Sequence, residues 1–139
     1  MTKAYLQPLT PEAESSLGSD RLELHTWPFR VGRESRMVAS ADGFKLMERR
    51  RTNAMPSNEL YLLDGGPRLN VSRAHFQIEQ DESGGFRLRD RGSALGTYVG
   101  EQRLGGQDAG GVCDIKDGDV VVVGSSESPF VFRFVVVTD

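Results

Sequence analysis

Short runs that alternate strictly between apolar and polar residues, each cut off by glycine-rich turns, constrain this chain more than anything else in it. Between Ala74 and Gln80, Phe76 and Ile78 share one side while Gln77 and Glu79 share the other. Between Phe86 and Asp90, Phe86 and Leu88 oppose Arg87 and Arg89. A period of two is the period of a strand, whose successive side chains point to opposite faces. The connecting Asp81-Glu82-Ser83-Gly84-Gly85 ends in glycines that supply the positive φ of a tight turn. The pattern predicts a β-hairpin with one face turned to a core.

The rest of the chain reads the same way. Ala4 to Leu9 is a short strand closed by Pro8 and Pro11, and Glu12 to Asp20 is a small, polar turn region. Arg21 to Val31 begins as a half-buried strand: Leu22 and Leu24 point one way, Glu23 and His25 the other, which leaves His25 facing solvent. Leu60 to Leu63 is a short strand stopped by Asp64-Gly65-Gly66-Pro67. Gly96 to Val99 and Gln102 to Leu104 form a further short pair. Asp117-Gly118-Asp119 turns into Val120 to Val123, and Phe130 to Val137, apolar apart from Arg133, is a last hairpin partner. The stretch 34–57 lacks sustained alternation and carries Asp42-Gly43, Met55-Pro56 and the basic run Arg49-Arg50-Arg51. It is expected to be a long, mobile loop with one helical turn around Phe44 to Met47. Loops of that length are uncommon unless they serve a function or are disordered. Many short strands with turns between them indicate an all-β sandwich or barrel.

A chain of 139 residues fits one domain, 1–139, and its 37% hydrophobic and 27% charged residues are a globular mixture able to bury a core. A net charge of −3 argues against nucleic acid or an anionic membrane as partner, since both need a clustered basic surface. No apolar stretch approaches membrane-spanning length, and Met1 to Thr10 lacks the cationic-then-apolar pattern of a signal peptide, so a cytoplasmic location is expected. Cys113 is the only cysteine; it is read as a small buried thiol with no activating neighbour. No His, Cys or carboxylate cluster has metal-ligand spacing, and no cofactor is implied. Gly92 and Gly96 fall in neither of the phosphate-cradling glycine patterns.

Three segments carry chemistry together: Val31-Gly32-Arg33-Glu34-Ser35, then Val71-Ser72-Arg73-Ala74-His75-Phe76, then Asp90-Arg91-Gly92-Ser93-Ala94-Leu95-Gly96-Thr97-Tyr98-Val99. In order and context they resemble the forkhead-associated (FHA) family: Gly-Arg at a strand end, Ser-x-x-His starting a strand, then Ser-x-Asn-Gly-Thr in a loop. Asp117-Gly118-Asp119 before Val120 resembles the family's closing strand, and the resemblance runs from about Leu22 to Val137. It implies a β-sandwich of two mostly antiparallel sheets with binding loops at one end. It also implies a non-catalytic module that binds phosphothreonine in a partner protein, in signalling or assembly. The implied phosphopeptide-binding residues are Arg33, Ser72, Arg73, Ala94 and Leu95, with Gly32, His75, Gly96 and Thr97 as structural motif residues.

The residue types suit that role. A phosphate presents nearly two negative charges and strong acceptor oxygens. Arg33 offers a guanidinium fork, Arg73 a second cation and Ser72 a short hydroxyl donor. The bland alternatives are a strand-end salt bridge for Arg33 and a turn hydroxyl for Ser72. An enzymatic alternative would make Ser72 a nucleophile and His75 its base, but three residues apart at the start of a strand is poor geometry, and no Gly-x-Ser-x-Gly elbow exists. The sequence departs from the family pattern at Leu95, which stands where an asparagine grips the bound peptide's backbone; leucine has no polar atom for that. Ala94 lacks a hydroxyl common at its position, and Gly100 replaces a second asparagine. A phosphate-independent interaction module on the same fold, using Leu95 as an apolar contact, is therefore the second reading.

Overall fold

The alternating runs pair into two sheets whose apolar faces meet. The computed structural model describes residues 2–34, 58–65, 68–106 and 111–138, and the backbone alone of 37–40 and 43–46. One sheet runs in the order β10 (Gln102–Leu104), β9 (Thr97–Val99), β12 (Val120–Val123), β13 (Val131–Thr138), β1 (Thr2–Pro8) and β2 (Leu22–Glu23). The other runs β11 (Gly111–Ile115), β8 (Phe86–Asp90), β7 (Phe76–Gln80), β3 (Phe29–Arg33) and β6 (Leu60–Leu62). Strand neighbours are antiparallel except β3 and β6, which run parallel with Val31 opposite Leu60. The 76–90 hairpin forms as its alternation predicts, with Ile78 paired to Leu88.

Leu6, Val121, Val123, Phe132 and Phe134 from the first sheet meet Phe29, Val31, Phe76, Ile78 and Leu88 from the second in one buried cluster. The rings of Phe86 and Phe134 touch edge to face across the two layers, 5.2 Å between centroids. This is the all-β sandwich of two mostly antiparallel sheets that the resemblance implies, and one of the two architectures that the strand pattern allows. Apolar burial of this kind is the main favourable term in folding.

Several local expectations are corrected. The polar turn region 12–20 contains a helix, α1 (Pro11–Leu17). Thr10 caps it by accepting the Ala13 N–H at 3.2 Å, Pro11 opens it, Glu12 and Glu14 lie in its first turn, and buried Ala13 anchors it. The Thr10 hydroxyl also donates to the Pro129 carbonyl. Arg21 to Val31 is not one strand: β2 joins β1 in the first sheet, and after an irregular stretch β3 enters the second. His25 is exposed. The expected long loop holds a two-stranded ribbon, β4 (Met37–Ser40) and β5 (Gly43–Leu46), with Ser40 opposite Gly43. Phe44 to Leu46 is thus extended rather than helical. Local antiparallel pairing outweighs the missing alternation. Arg49, Arg50, Arg51, Met47 and the Met55-Pro56 break lie outside the described residues. β11 is a strand the sequence reading lacked. Cys113 sits on it half-buried rather than fully enclosed, and burial, followed by the nearby Asp119 and Asp114, pushes its thiol pKa up.

β3 lies between β6 and β7, with the 70–75 loop packed directly on its end. A Cβ on Gly32 would stand 1.9 Å from the Arg73 carbonyl oxygen and 2.7 Å from Nδ2 of Asn58. Only a residue without a side chain lets that loop lie on the strand. Gly32→Ala is therefore expected to lower stability by about 1–3 kcal/mol in urea unfolding. An unchanged unfolding midpoint would show that the loop can move aside.

Candidate functional site

Three loops converge at the C-terminal end of β3. Arg33 leaves the strand with its N–H donating to the Ser72 carbonyl at 2.9 Å, so the Gly-Arg and Ser-x-x-His motifs are in direct contact. The Arg33 side chain is half-buried, and its Nε is fully enclosed without a hydrogen-bond partner among the described residues.

His75 joins the second motif to the third. Its ring is completely buried. Nδ1 accepts the Ser72 N–H at 2.9 Å, so the ring proton lies on Nε2, which donates to the Gly96 carbonyl at 2.7 Å. Both ring nitrogens are thereby occupied, and neither is directed at the Ser72 hydroxyl. That removes the nucleophile–base pair of the enzymatic alternative. The Ser72 Oγ instead accepts the Ala94 N–H at 3.0 Å and donates to no acceptor among the described residues.

The third loop is built around a buried carboxylate. Asp90, 3% exposed, accepts from the Gly92 N–H (3.0 Å), the Ser93 N–H (2.9 Å), the Ser93 hydroxyl (2.6 Å) and the Thr97 hydroxyl (2.9 Å). Ser93 Oγ in turn accepts the Gly96 N–H at 2.9 Å. Gly96 has φ +89°, and a Cβ there would stand 2.8 Å from the Leu104 carbonyl oxygen. The loop is thus tied at its base, with Ala94 and Leu95 exposed at its tip. The Leu95 carbonyl accepts from Arg103 Nη2 at 3.2 Å, while the Leu95 side chain borders an open groove with Leu69, Asn70, Ser125 and Pro129.

The structure therefore brings Gly32, Arg33, Ser72, Arg73, His75, Ala94, Leu95, Gly96 and Thr97 to one end of the sandwich. Arg73 is exposed, and Thr97 lies in the buried Asp90 cluster. Sequence reasoning missed Asp64, Asp90, Asn58 and Arg91. Asp64, 5% exposed, accepts the Asn70 and Val71 N–H groups at 2.6 and 2.9 Å and pins the approach to Ser72. Asp90 had a local signal, since an aspartate two and three residues before free N–H groups is an Asx turn. Asn58 had none: its partners Arg73 and Arg91 lie 15 and 33 positions away.

The FHA domain family profile matches residues 30–124, more than half of the chain. The chain belongs to the FHA family. FHA domains are phosphopeptide-binding modules and generally non-catalytic. Solved structures are similar across nearly the whole FHA chain. The N-terminal FHA domain of Rad53p from S. cerevisiae, in complex with a phosphothreonine peptide, has a TM-score of 0.60 at 17% identity, covering 99% of this chain and 94% of that one. The yeast splicing factor Pml1, integrated into the RES complex, has a TM-score of 0.64 at 18% identity, covering 99% and 82%. An FHA domain of Arabidopsis thaliana has a TM-score of 0.59 at 22% identity, covering 98% and 85%. At these identities the likeness is one of fold. No curated protein matches the chain by sequence.

Burial pulls the His75 pKa below its ordinary 6.5, against the opposing pull of the Gly96 carbonyl and of Asp90 and Asp64. The folded state thus prefers neutral His75. Its contribution to stability is complete above pH 6.5 and declines as the pH falls from there toward the folded pKa. Protonation of Nδ1 also destroys its bond to the Ser72 N–H. Unfolding free energy measured in urea is expected to drop between pH 7.5 and 5.5, and His75→Gln should flatten that drop while lowering stability at pH 7.5. Equal slopes for the two proteins would refute the assignment.

Proposed function

We propose that this FHA domain binds a phosphothreonine-bearing segment of a partner protein, catalyses nothing, and serves in signalling or assembly. The observation that carries the reading is the meeting of the half-buried Arg33, whose backbone N–H donates to the Ser72 carbonyl, with the Ser72 hydroxyl, which donates to no acceptor among the described residues. A guanidinium beside a hydroxyl offers the charge-assisted donors that an anion needs. Arg73 adds a second cation on the adjacent loop. A dianionic phosphate meets these requirements, since it accepts from a guanidinium fork and a hydroxyl at once. The phosphothreonine peptide bound by the Rad53p FHA domain supports threonine as the carrier, and Pml1's place in a complex supports an assembly role.

One observation favours a second reading. Leu95 is 37% exposed and borders the groove of Leu69 and Pro129. An apolar side chain there suits a phosphate-independent contact with a partner protein.

The test begins by selecting, with wild-type protein, the tightest peptide from a degenerate phosphothreonine pool. Arg33→Ala should weaken that peptide at least ~100-fold, because charge-assisted hydrogen bonds contribute about 1.5–3 kcal/mol each. Arg33→Lys should recover little, since an ammonium cannot reproduce the fork. Wild-type affinity in the alanine variant would show that the site is wrongly assigned.

Leu95→Asn separates the two readings. Its side chain is exposed, so the fold tolerates the change. Two restored hydrogen bonds to the peptide backbone at about 1 kcal/mol each predict binding tighter by roughly 10- to 30-fold, through slower dissociation, in calorimetry on the selected peptide. Weaker binding, equal for the phosphorylated and unphosphorylated forms, would instead establish the phosphate-independent module.

A further inference from the structure

The loop that carries Ser72 and Arg73 is held from behind by a side chain that is not among the groups meant to meet the phosphate. Asn58 lies just before β6 and is 4% exposed. Its Nδ2 donates to the Arg73 carbonyl at 2.8 Å. Its Oδ1 accepts from Arg91 Nη1 at 2.5 Å. Arg91 in turn donates its backbone N–H to the His75 carbonyl at 2.9 Å. The circuit closes on itself, and the carbonyls on both sides of Ala74 are fixed by one Asn58–Arg91 unit. The Arg73 peptide is pressed from its other side by Gly32, where no Cβ intervenes. Only a group with a donor at one end and an acceptor at the other completes this circuit, and a carboxamide has both.

We propose that Asn58 and Arg91 are positioning residues of the phosphothreonine site, fixing the Arg73 backbone so that its guanidinium and the Ser72 hydroxyl converge on one phosphate. The proposal rests on the phosphothreonine reading above. The exposed Arg73 side chain keeps its rotamer freedom, so what the fold can fix in advance is where its backbone stands. A loop already fixed in its binding geometry loses less freedom when ligand arrives, which shows as affinity. Without the brace the Arg73 carbonyl loses its donor, and the Arg73 guanidinium must be re-ordered on binding, while Ser72 keeps its own bonds to Arg33, His75 and Ala94.

Asn58→Asp is the sharpest probe. It keeps the acceptor for Arg91 and the shape of the side chain, and replaces the donor to Arg73 with a second acceptor. At a temperature where melting curves show it folded, it should bind the selected phosphothreonine peptide about tenfold more weakly than wild type. Arg91→Met, which keeps the apolar stem, should do the same and serves if Asn58→Asp fails to fold. A merely structural residue would lower the melting temperature and leave affinity intact among folded molecules. Adding Arg73→Ala to Asn58→Asp should cost no more than about twofold beyond Arg73→Ala alone, because both act through one group. A folded Asn58→Asp that binds like wild type, or losses that simply multiply in the double variant, would overturn the proposal while the phosphothreonine reading stands. A wild-type protein that selects no peptide from the phosphothreonine pool would overturn both.

Discussion

One neutral imidazole holds the binding end of this domain together. His75 accepts a backbone N–H from Ser72 and donates to the backbone carbonyl of Gly96, so a single rigid ring sets the spacing between two loops. Each bond is made in a buried site, where electrostatic attraction is stronger and an unpaired group is costlier. The ring must be both buried and neutral to play this part. A charged imidazolium would carry a proton on Nδ1 and meet the Ser72 N–H donor to donor.

Around that ring the domain replaces regular structure with buried polar groups. Loops cannot satisfy their own backbone the way strands do, and an unpaired buried N–H is costly. Here Asp90 gathers four donors from residues 92–97, and Asp64 gathers two from Asn70 and Val71. Asn58 and Arg91 complete the same task on the carbonyl side. These polar anchors stand at the rim of an apolar sandwich whose own hydrogen bonds are made within its sheets. The sandwich supplies a stiff frame, and the anchors fix loops on it that would otherwise sample many conformations.

The electrostatic logic of the site is local. A net charge of −3 says nothing of one end of the sandwich, where Arg33 ends β3 and Arg73 stands on the loop packed against it. The Ser72 hydroxyl accepts from the Ala94 N–H and donates to no acceptor among the described residues. Leu95, like Leu69 beside it, is an exposed apolar side chain. It sits at the tip of a well-tied loop, so its replacement of the family's asparagine changes what the tip can grasp without changing how the tip is held.

The sandwich and most of its strands were legible in the sequence because a half-buried strand writes its alternation locally, as Phe76 to Glu79 and Phe86 to Arg89 do. The Gly-Arg, Ser-x-x-His and Gly-Thr residues were legible as an ordered set. Legibility failed where alternation is short or absent. Two-residue β2 and the ribbon from Met37 to Leu46 have too few residues to show a period, and α1 rested on cap chemistry at Thr10, Pro11 and Glu12 rather than on an apolar stripe. By itself, the sequence determined which residues carry donors, charge and conformational freedom: Arg33, Ser72, Arg73, and the glycines at 32 and 96. Tertiary structure alone decided that Arg73's carbonyl lies on Gly32, that His75 spans to Gly96, and that Asn58 reaches both Arg73 and Arg91. Those contacts join residues 15 to 41 positions apart, and no local pattern encodes them, because they exist only once β3, β6, β7 and β8 have paired in one sheet and, for His75 and Gly96, once the two sheets have packed.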